Sequence, residues 1–277
     1  MHWQTTRFRI DLSQPQVMGI VNVTPDSFSD GGRLATAAAA IAHCEQLLVD
    51  GAQLLDIGGE STRPGSKPVP ADEELARVLP VLDAALRLGC PVSVDTNKSE
   101  VMAAVLACGA DIVNDINALQ APGALDLVAA HASCGVCLMH MRGTPEAMHL
   151  RPHYDDVVDE VGAFLRERGA DVEARGVAAE RIVFDPGIGF GKSVEHNIEL
   201  LRRQRELLAL GRPLLVGWSR KSTLGAITGR GVGQRQAASV AAALAAVQSG
   251  ARIVRVHDVA ATVDALKVWQ AAGLGHG

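Results

Sequence analysis

Short runs of apolar, often β-branched residues alternate along the chain with longer stretches in which apolar positions recur every three or four residues. The runs predict strands at 17–22 (VMGIVN), 53–58 (QLLDIG), 91–95 (PVSVD), 111–115 (DIVND), 136–140 (VCLMH), 181–185 (RIVFD), 213–217 (PLLVG) and 252–256 (RIVRV). The stretches between them predict helices at 35–50, 71–88, 98–108, 123–131, 155–175, 194–209, 234–249 and 259–271. In the fifth of these, Val157, Val161, Phe164 and Leu165 fall on one stripe. Gly51, Gly89, Gly109, Gly176, Gly211 and Gly250 each follow a helix directly, where the chain must turn left-handed. GRGVG at 229–233 reads as a break between two helical pieces after the seventh strand.

Strands that are apolar on both faces belong to a parallel sheet covered by helices. Eight such units predict an α/β fold, the (β/α)8 TIM barrel, in preference to an open sheet. No linker or low-complexity tract divides the sequence, so 1–277 reads as one domain. Residues 3–16 precede the first barrel strand and are expected to form a short β-hairpin closing the barrel's bottom.

Composition narrows the functional classes. The 277 residues are 48% hydrophobic, enough for one large core, and the net charge of −5 with scattered Lys and Arg argues against nucleic acid or anionic membrane as partner. Only 3% of residues are aromatic, which disfavours a base-stacking platform. The start, MHWQTTRFRIDLSQPQ, lacks the apolar core of a signal peptide, and no window is long enough to span a membrane, so a cytoplasmic location is expected. Five cysteines, an odd number, suit a reducing compartment. Cys134 and Cys137 form a C-x-x-C, but beside a predicted strand rather than at a helix start, and they read as buried small residues.

The glycine-rich stretch DPGIGFGKS (185–193) raises the question of nucleotide binding. A Walker A loop would need glycine at Pro186, and a dinucleotide fingerprint from Gly187 would need glycine at Lys192. Both fail. In a barrel, chemistry gathers at the C-terminal ends of the strands. Those ends read Asn22, Asp56, Asp95, Asn114 with Asp115, Met139 with His140, Asp185, Gly217, and Arg255 with His257. Three long loops follow strands, at 23–33, 59–70 and 141–153, and long βα-loops tend to be functional. Asp95, Asn114 and Asp185 suit a planar heterocycle with N–H donors. Asn22, Arg63, Arg255 and His257 suit a metal-bound pyrophosphate. His149 and His153, four apart in the third long loop, lack a nearby Glu or Cys cluster and read as surface residues.

The stretches MGIVNVTPDSFSDGG (18–32), DIGGESTRPG (56–65), SVDT (93–96), VNDI (113–116), LMHMRGTP (138–145), DPGIGFGK (185–192), SRKS (219–222) and RVHDV (255–259), in this order, resemble the dihydropteroate synthase family over essentially the whole chain. The resemblance implies transfer of a 7,8-dihydropterin-6-ylmethyl group from its diphosphate to 4-aminobenzoate in folate synthesis, releasing pyrophosphate, with Mg2+ and in a homodimer. It implies a pterin pocket of Asp95, Asn114, Asp185 and Lys221, floored by Ile20, Ile116, Met139 and Gly217. It places Asn22, Thr62, Arg63, Arg255 and His257 on the diphosphate, Asn22 also on the metal, and Phe28, Pro64, Phe190, Lys221 and Ser222 around aminobenzoate. Asp95, Lys221, Arg255 and His257 are the residues implied in catalysis. Ile188, Asn97 and Trp218 depart from the residues common in the family and remove none of these polar contacts. A corrinoid-type pterin methyltransferase would share the Asp, Asn, Asp pocket but has no use for the pyrophosphate residues in STRPG and RVH. A non-catalytic homologue would have no reason to keep Asn22, Arg63, Lys221, Arg255 and His257 together.

Overall fold

The computed structural model describes residues 1–23, 37–61, 65–66, 68–143 and 152–274. A two-stranded antiparallel hairpin comes first, β1 (His2–Gln4) with β2 (Arg9–Asp11), pairing Trp3 with Ile10. Eight parallel strands follow: β3 (Gln16–Asn22), β4 (Leu54–Gly58), β5 (Val92–Asp95), β6 (Ile112–Asp115), β7 (Gly135–Met139), β8 (Ile182–Asp185), β9 (Leu215–Val216) and β10 (Ile253–Val256). Their order is β8-β7-β6-β5-β4-β3-β10-β9. A parallel bridge between Phe184 and Leu214, with the Phe184 N–H donating to the Pro213 carbonyl at 3.0 Å, closes the ring. This is the expected (β/α)8 barrel.

Helices α1 (Ala37–Val49), α2 (Ala71–Ala85), α3 (Ser99–Ala107), α4 (Ala124–Ala130), α5 (Val157–Ala174), α6 (Val194–Arg202), α7 (Ser222–Thr228), α8 (Gln236–Gln248) and α9 (Val259–Ala271) alternate with the strands. All six glycines expected to turn the chain after a helix have positive φ, between 70° and 99°. The break at 229–233 separates α7 from α8, with Gly229 at φ 71°. Most boundaries shift by one to three residues, and two elements are markedly shorter than expected. The sixth helix stops at Arg202 and tightens into a 3-10 turn over Gln204–Leu210, because the Gln204 side chain turns inward to donate to the Ala246 carbonyl of α8 at 2.8 Å. Strand β9 spans two residues rather than 213–217, since Pro213 has no N–H to give a ladder.

Residue parity divides the strands into two packing systems. Val21, Leu55, Val94, Val113, Leu138 and Val254 point outward into the large cluster shared with the helices. Met18, Leu54, Ile112, Cys137, Val183, Leu215 and Ile253 point inward and form the barrel's lower interior with Trp3, Ile10 and Leu12 of the hairpin. The hairpin is therefore a plug. Trp3 is fully buried, and its Nε1–H donates to the Arg181 carbonyl at 2.9 Å, which satisfies the one polar atom the ring carries inside.

Candidate active site at the C-terminal barrel mouth

Two residues further along the same inward rows, the interior becomes polar. Arg255 donates from Nε to Asp56 Oδ2 at 2.5 Å and from Nη2 to Asp95 Oδ2 at 2.7 Å. Asn114 Nδ2 donates to the same Asp56 oxygen at 3.2 Å. The register explains the convergence: Asp95 lies beside Asn114 on one side and Gly58 on the other, and Met139 lies beside Asp185. Asp56 Oδ1 and Ser93 Oγ, register partners, are buried without a hydrogen-bond partner among the described residues.

These carboxylates do not behave like surface ones. Burial pushes Asp95 up to about 7; Arg255 opposes this, and Asp56, Glu74 and Asp115 add to it. Burial raises Asp185 as well, against the Gly187 N–H, which donates to its Oδ1 at 2.7 Å, and the nearby Lys221. Burial lowers Lys221 to about 8, with Asp185 opposing. For Arg255, burial works against the proton, but Asp56 and Asp95 outweigh it and the guanidinium stays charged.

An apolar wall stands beside this network. Ile116, Met139 and Phe190 form a cluster with Met141 packed against it, and Lys221 Nζ lies 4.0 Å from the centroid of the Phe190 ring. Ile20 is buried, and Gly217 is half-buried at the end of β9. Lys221 precedes α7, and Arg220 before it takes φ 58°, held by Asp258 at 2.8 Å and by the Ser239 hydroxyl, which accepts from its N–H at 2.9 Å. The strained turn is thus over-determined, and it fixes where Lys221 starts. Ser222 opens α7 and is exposed. His257 Nδ1 lies 2.9 Å from Ser219 Oγ, whose oxygen also accepts from the His257 N–H at 3.1 Å.

The site residues expected from sequence therefore come together where they are described: Asn22, Asp95, Asn114, Met139, Asp185, Phe190, Gly217, Lys221, Arg255 and His257 sit at strand ends or in the loops that follow, and Ser222 at the first position of α7. Phe28, Thr62, Arg63, Pro64 and His149 lie outside the described residues. Arg255, expected with the diphosphate residues, is bound here to two carboxylates inside the barrel, so that Arg255, Asp56, Asp95 and Asn114 form one network. Sequence reasoning placed Asp56 at a strand end without giving it to the site, and gave Lys192 no role beyond its place in DPGIGFGK. Asp56 could have been found from parity, standing two residues after inward Leu54. Nothing in the sequence around Lys192 marks its burial.

Among the described residues, no group of three or more His, Cys, Asp or Glu could hold a metal ion. Oxygen donors are nevertheless present. Asn22 Oδ1 and Asp95 Oδ2 stand 3.8 and 3.9 Å from where a Cβ on Gly58 would be, so a side chain there would press on both oxygens. The C-x-x-C is not poised for redox chemistry: burial pushes Cys134 up to about 11 and Cys137 well above its ordinary value. His153 is on the surface, 3.3 Å from Asp155. No helix among the described residues is long and apolar enough to cross a membrane.

The family model for pterin binding enzymes matches residues 18–257. A dihydropteroate synthase of Neisseria meningitidis serogroup B is 54% identical over 278 residues, covering 98% of both chains. The solved structure of Xanthomonas albilineans dihydropteroate synthase with 4-aminobenzoic acid superimposes with a TM-score of 0.92 at 52% identity, covering 99% of each chain. The same enzyme in complex with 7,8-dihydropteroate gives a TM-score of 0.89 at 50% identity over the same share. With the Asp, Asn, Asp pocket and the basic residues Lys221 and Arg255 in one barrel mouth, the chain belongs to the pterin binding enzymes and, within them, to the dihydropteroate synthases.

Proposed function

We propose that this barrel mouth joins a dihydropterin-methyl diphosphate to 4-aminobenzoate, with the labour divided among the residues described above. The observation that carries the assignment is the convergence of Asp56, Asp95, Asp185 and Asn114 with Arg255 and Lys221, beside an apolar wall of Ile116, Met139 and Phe190. Asp185 and Asn114 meet the ring N–H and acceptor edge of the pterin, and Met139, Ile116, Ile20 and Gly217 receive its faces. Asp95 lies close enough to Arg255 to share its charge, and when ionised it stabilises positive charge developing on the pterin methylene. The methylene C–O bond breaks, diphosphate leaves with its electron pair, the C–N bond to the arylamine forms, and the amine gives up one proton to solvent. The amine is neutral near pH 7, so no strong general base is needed.

Arg255, His257 and Asn22, with Thr62 and Arg63, receive the diphosphate. Lys221, Phe190 and Ser222, with Phe28 and Pro64, receive aminobenzoate. Mg2+ would be held by Asn22 together with diphosphate oxygens, which suits a cation that takes few protein ligands and keeps phosphate and water around it. When bound it neutralises charge on the leaving diphosphate. A homodimer in the cytoplasm completes the reading. Ile227, Val232, Val268 and Leu274, exposed large apolar side chains of the last two βα units, are its candidate contact residues.

Incubating the purified protein with both substrates and Mg2+ should give dihydropteroate and pyrophosphate in equal amounts. Pyrophosphate without dihydropteroate, or no turnover with pterin still bound, would overturn the assignment in favour of a hydrolase or a binding protein. Chelating Mg2+ should remove inhibition by free pyrophosphate; inhibition that persists would remove the metal from the reading. Sedimentation giving a monomer at micromolar concentration would remove the dimer.

A further inference from the structure

Lys192, the last residue of DPGIGFGK, is only 8% exposed. Its ammonium lies 2.9 Å from His140 Nδ1, 3.2 Å from the His140 carbonyl, 2.9 Å from the Gly187 carbonyl and 3.1 Å from the Phe190 carbonyl. A buried ammonium is costly unless its protons are taken up, and these acceptors come from two separate segments, the end of β7 and the arc 187–190. Among the described residues no carboxylate bonds it directly; Asp185 acts through space. The two segments touch so closely that a Cβ on Gly187 would stand 1.9 Å from the His140 oxygen, and one on Gly191 would stand 2.1 Å from the Arg142 oxygen. Their φ values of 69° and 62° reinforce the need for glycine at both positions.

The far side of the arc is tied down as well. Gly189 N–H donates to Asn197 Oδ1 at 2.8 Å, and Asn197 Nδ2 donates to Thr223 Oγ1 of α7 at 2.9 Å. Phe190, at the end of this arc, presents its ring to Lys221 Nζ. Asp185 is joined to the arc by one bond, from the Gly187 N–H to its Oδ1 at 2.7 Å, but its main chain is held independently of Lys192. Its backbone belongs to β8, where its carbonyl accepts from the His140 N–H at 3.0 Å.

We infer that Lys192 is a positioning residue for the aminobenzoate side of the site: it clamps the 187–190 arc to the end of β7 and thereby sets Phe190 against Lys221. This rests on the proposed function, which gives Phe190 and Lys221 to aminobenzoate and Asp185 to the pterin. Burial pulls Lys192 down to about 7, with Asp185 opposing and Lys221 and Arg142 adding to the fall. Burial pushes His140 to about 3, so its ring is neutral and Nδ1 accepts from the ammonium.

The test compares Lys192→Met with the wild-type enzyme. Methionine keeps the apolar stem of the side chain and removes the donors. The KM for aminobenzoate should rise by about tenfold or more, while pterin affinity, read by calorimetry, changes by less than about threefold. A folded variant with an unchanged aminobenzoate KM, or one that loses both ligands equally, overturns the inference. If Lys192→Met does not fold, His140→Leu, which removes one acceptor of the four, decides the matter. It should raise the same KM by about threefold and leave the pterin constant unmoved, and no change in KM would overturn the inference. Wild-type turnover with both substrates keeps the proposed function standing whichever way the variants fall.

Discussion

The lower and upper halves of the barrel interior are built from the same strands in the same parity, and they are chemically opposite. Below, Trp3, Leu12, Met18, Leu54, Ile112, Cys137, Val183, Leu215 and Ile253 are all fully buried and apolar. Above, one inward position later, stand Asp56, Asn114, Asp185 and Arg255. The lower half gains from every contact it makes. In the upper half, charges face one another across a narrow barrel, and Asp56 Oδ1 and Ser93 Oγ have no partner among the described residues. Burying charge in this way costs stability, and it preorganises dipoles for a charged transition state. Stability and chemistry are thus stacked along one axis.

Replacing Trp3 by Ala should separate the halves most sharply. It empties the plug beneath the barrel, and the expected loss of stability is about 3–5 kcal/mol, read by chemical denaturation. The KM for either substrate should stay close to wild type. A large change in KM with little loss of stability would show that the two halves are not independent.

Asp185→Asn tests the opposite case. An ionised acceptor is replaced by a group carrying its own donor, and pterin affinity should fall by about a hundredfold or more, with stability little affected. Calorimetric titration with a pterin that shows less than about a tenfold loss would move Asp185 out of the pterin pocket.

Within the upper half, Arg255 and His257 should differ. His257→Ala is expected to weaken inhibition by pyrophosphate by about tenfold and to leave a pterin lacking the diphosphate unaffected. Arg255→Ala leaves Asp56 and Asp95 facing each other without a counter-charge, so it should weaken both ligands and lower the melting temperature as well. Identical profiles for the two variants would mean that the Arg255 network has no part in shaping the pterin pocket.

The contrast also extends to pH. Burial raises Asp95 in the folded protein from its ordinary value near 3.8 to about 7. Between these limits the folded state holds a proton that the unfolded state has released, so the group's stabilisation is complete below about pH 4 and is lost as pH rises towards about 7. Unfolding free energies of wild type and Asp95→Asn measured across that window should diverge in this direction, the wild type falling more. Parallel curves would place Asp95 in a more solvated setting.

Much of this was legible in the sequence for specific reasons. Helix ends were marked by glycines that have to turn left-handed, and Gly51 through Gly250 do so. Strand ends were marked by a switch from apolar to polar residues at a fixed parity, which located Asp95, Asn114 and Asp185. The sixth helix misled because a helical period persists through Gln204–Leu210, while the bond from Gln204 to Ala246 depends on a helix some forty residues away. Lys192 went unread because a lysine after glycine carries no local signal of burial. Its four acceptors become neighbours only when the arc folds back over the end of β7.

The sequence by itself determined the eight-fold alternation, the barrel, the rim on which chemistry gathers and the family to which the residues belong, because periodicity and strand parity are local properties of the chain. Only the tertiary structure decided that Arg255 joins Asp56 and Asp95 in one network, that Trp3 plugs the floor, and that Lys192 is buried among acceptors from two separate segments. Those outcomes depend on distances between residues up to about two hundred positions apart, and on how far burial shifts the charge of each group, neither of which is encoded in any short stretch.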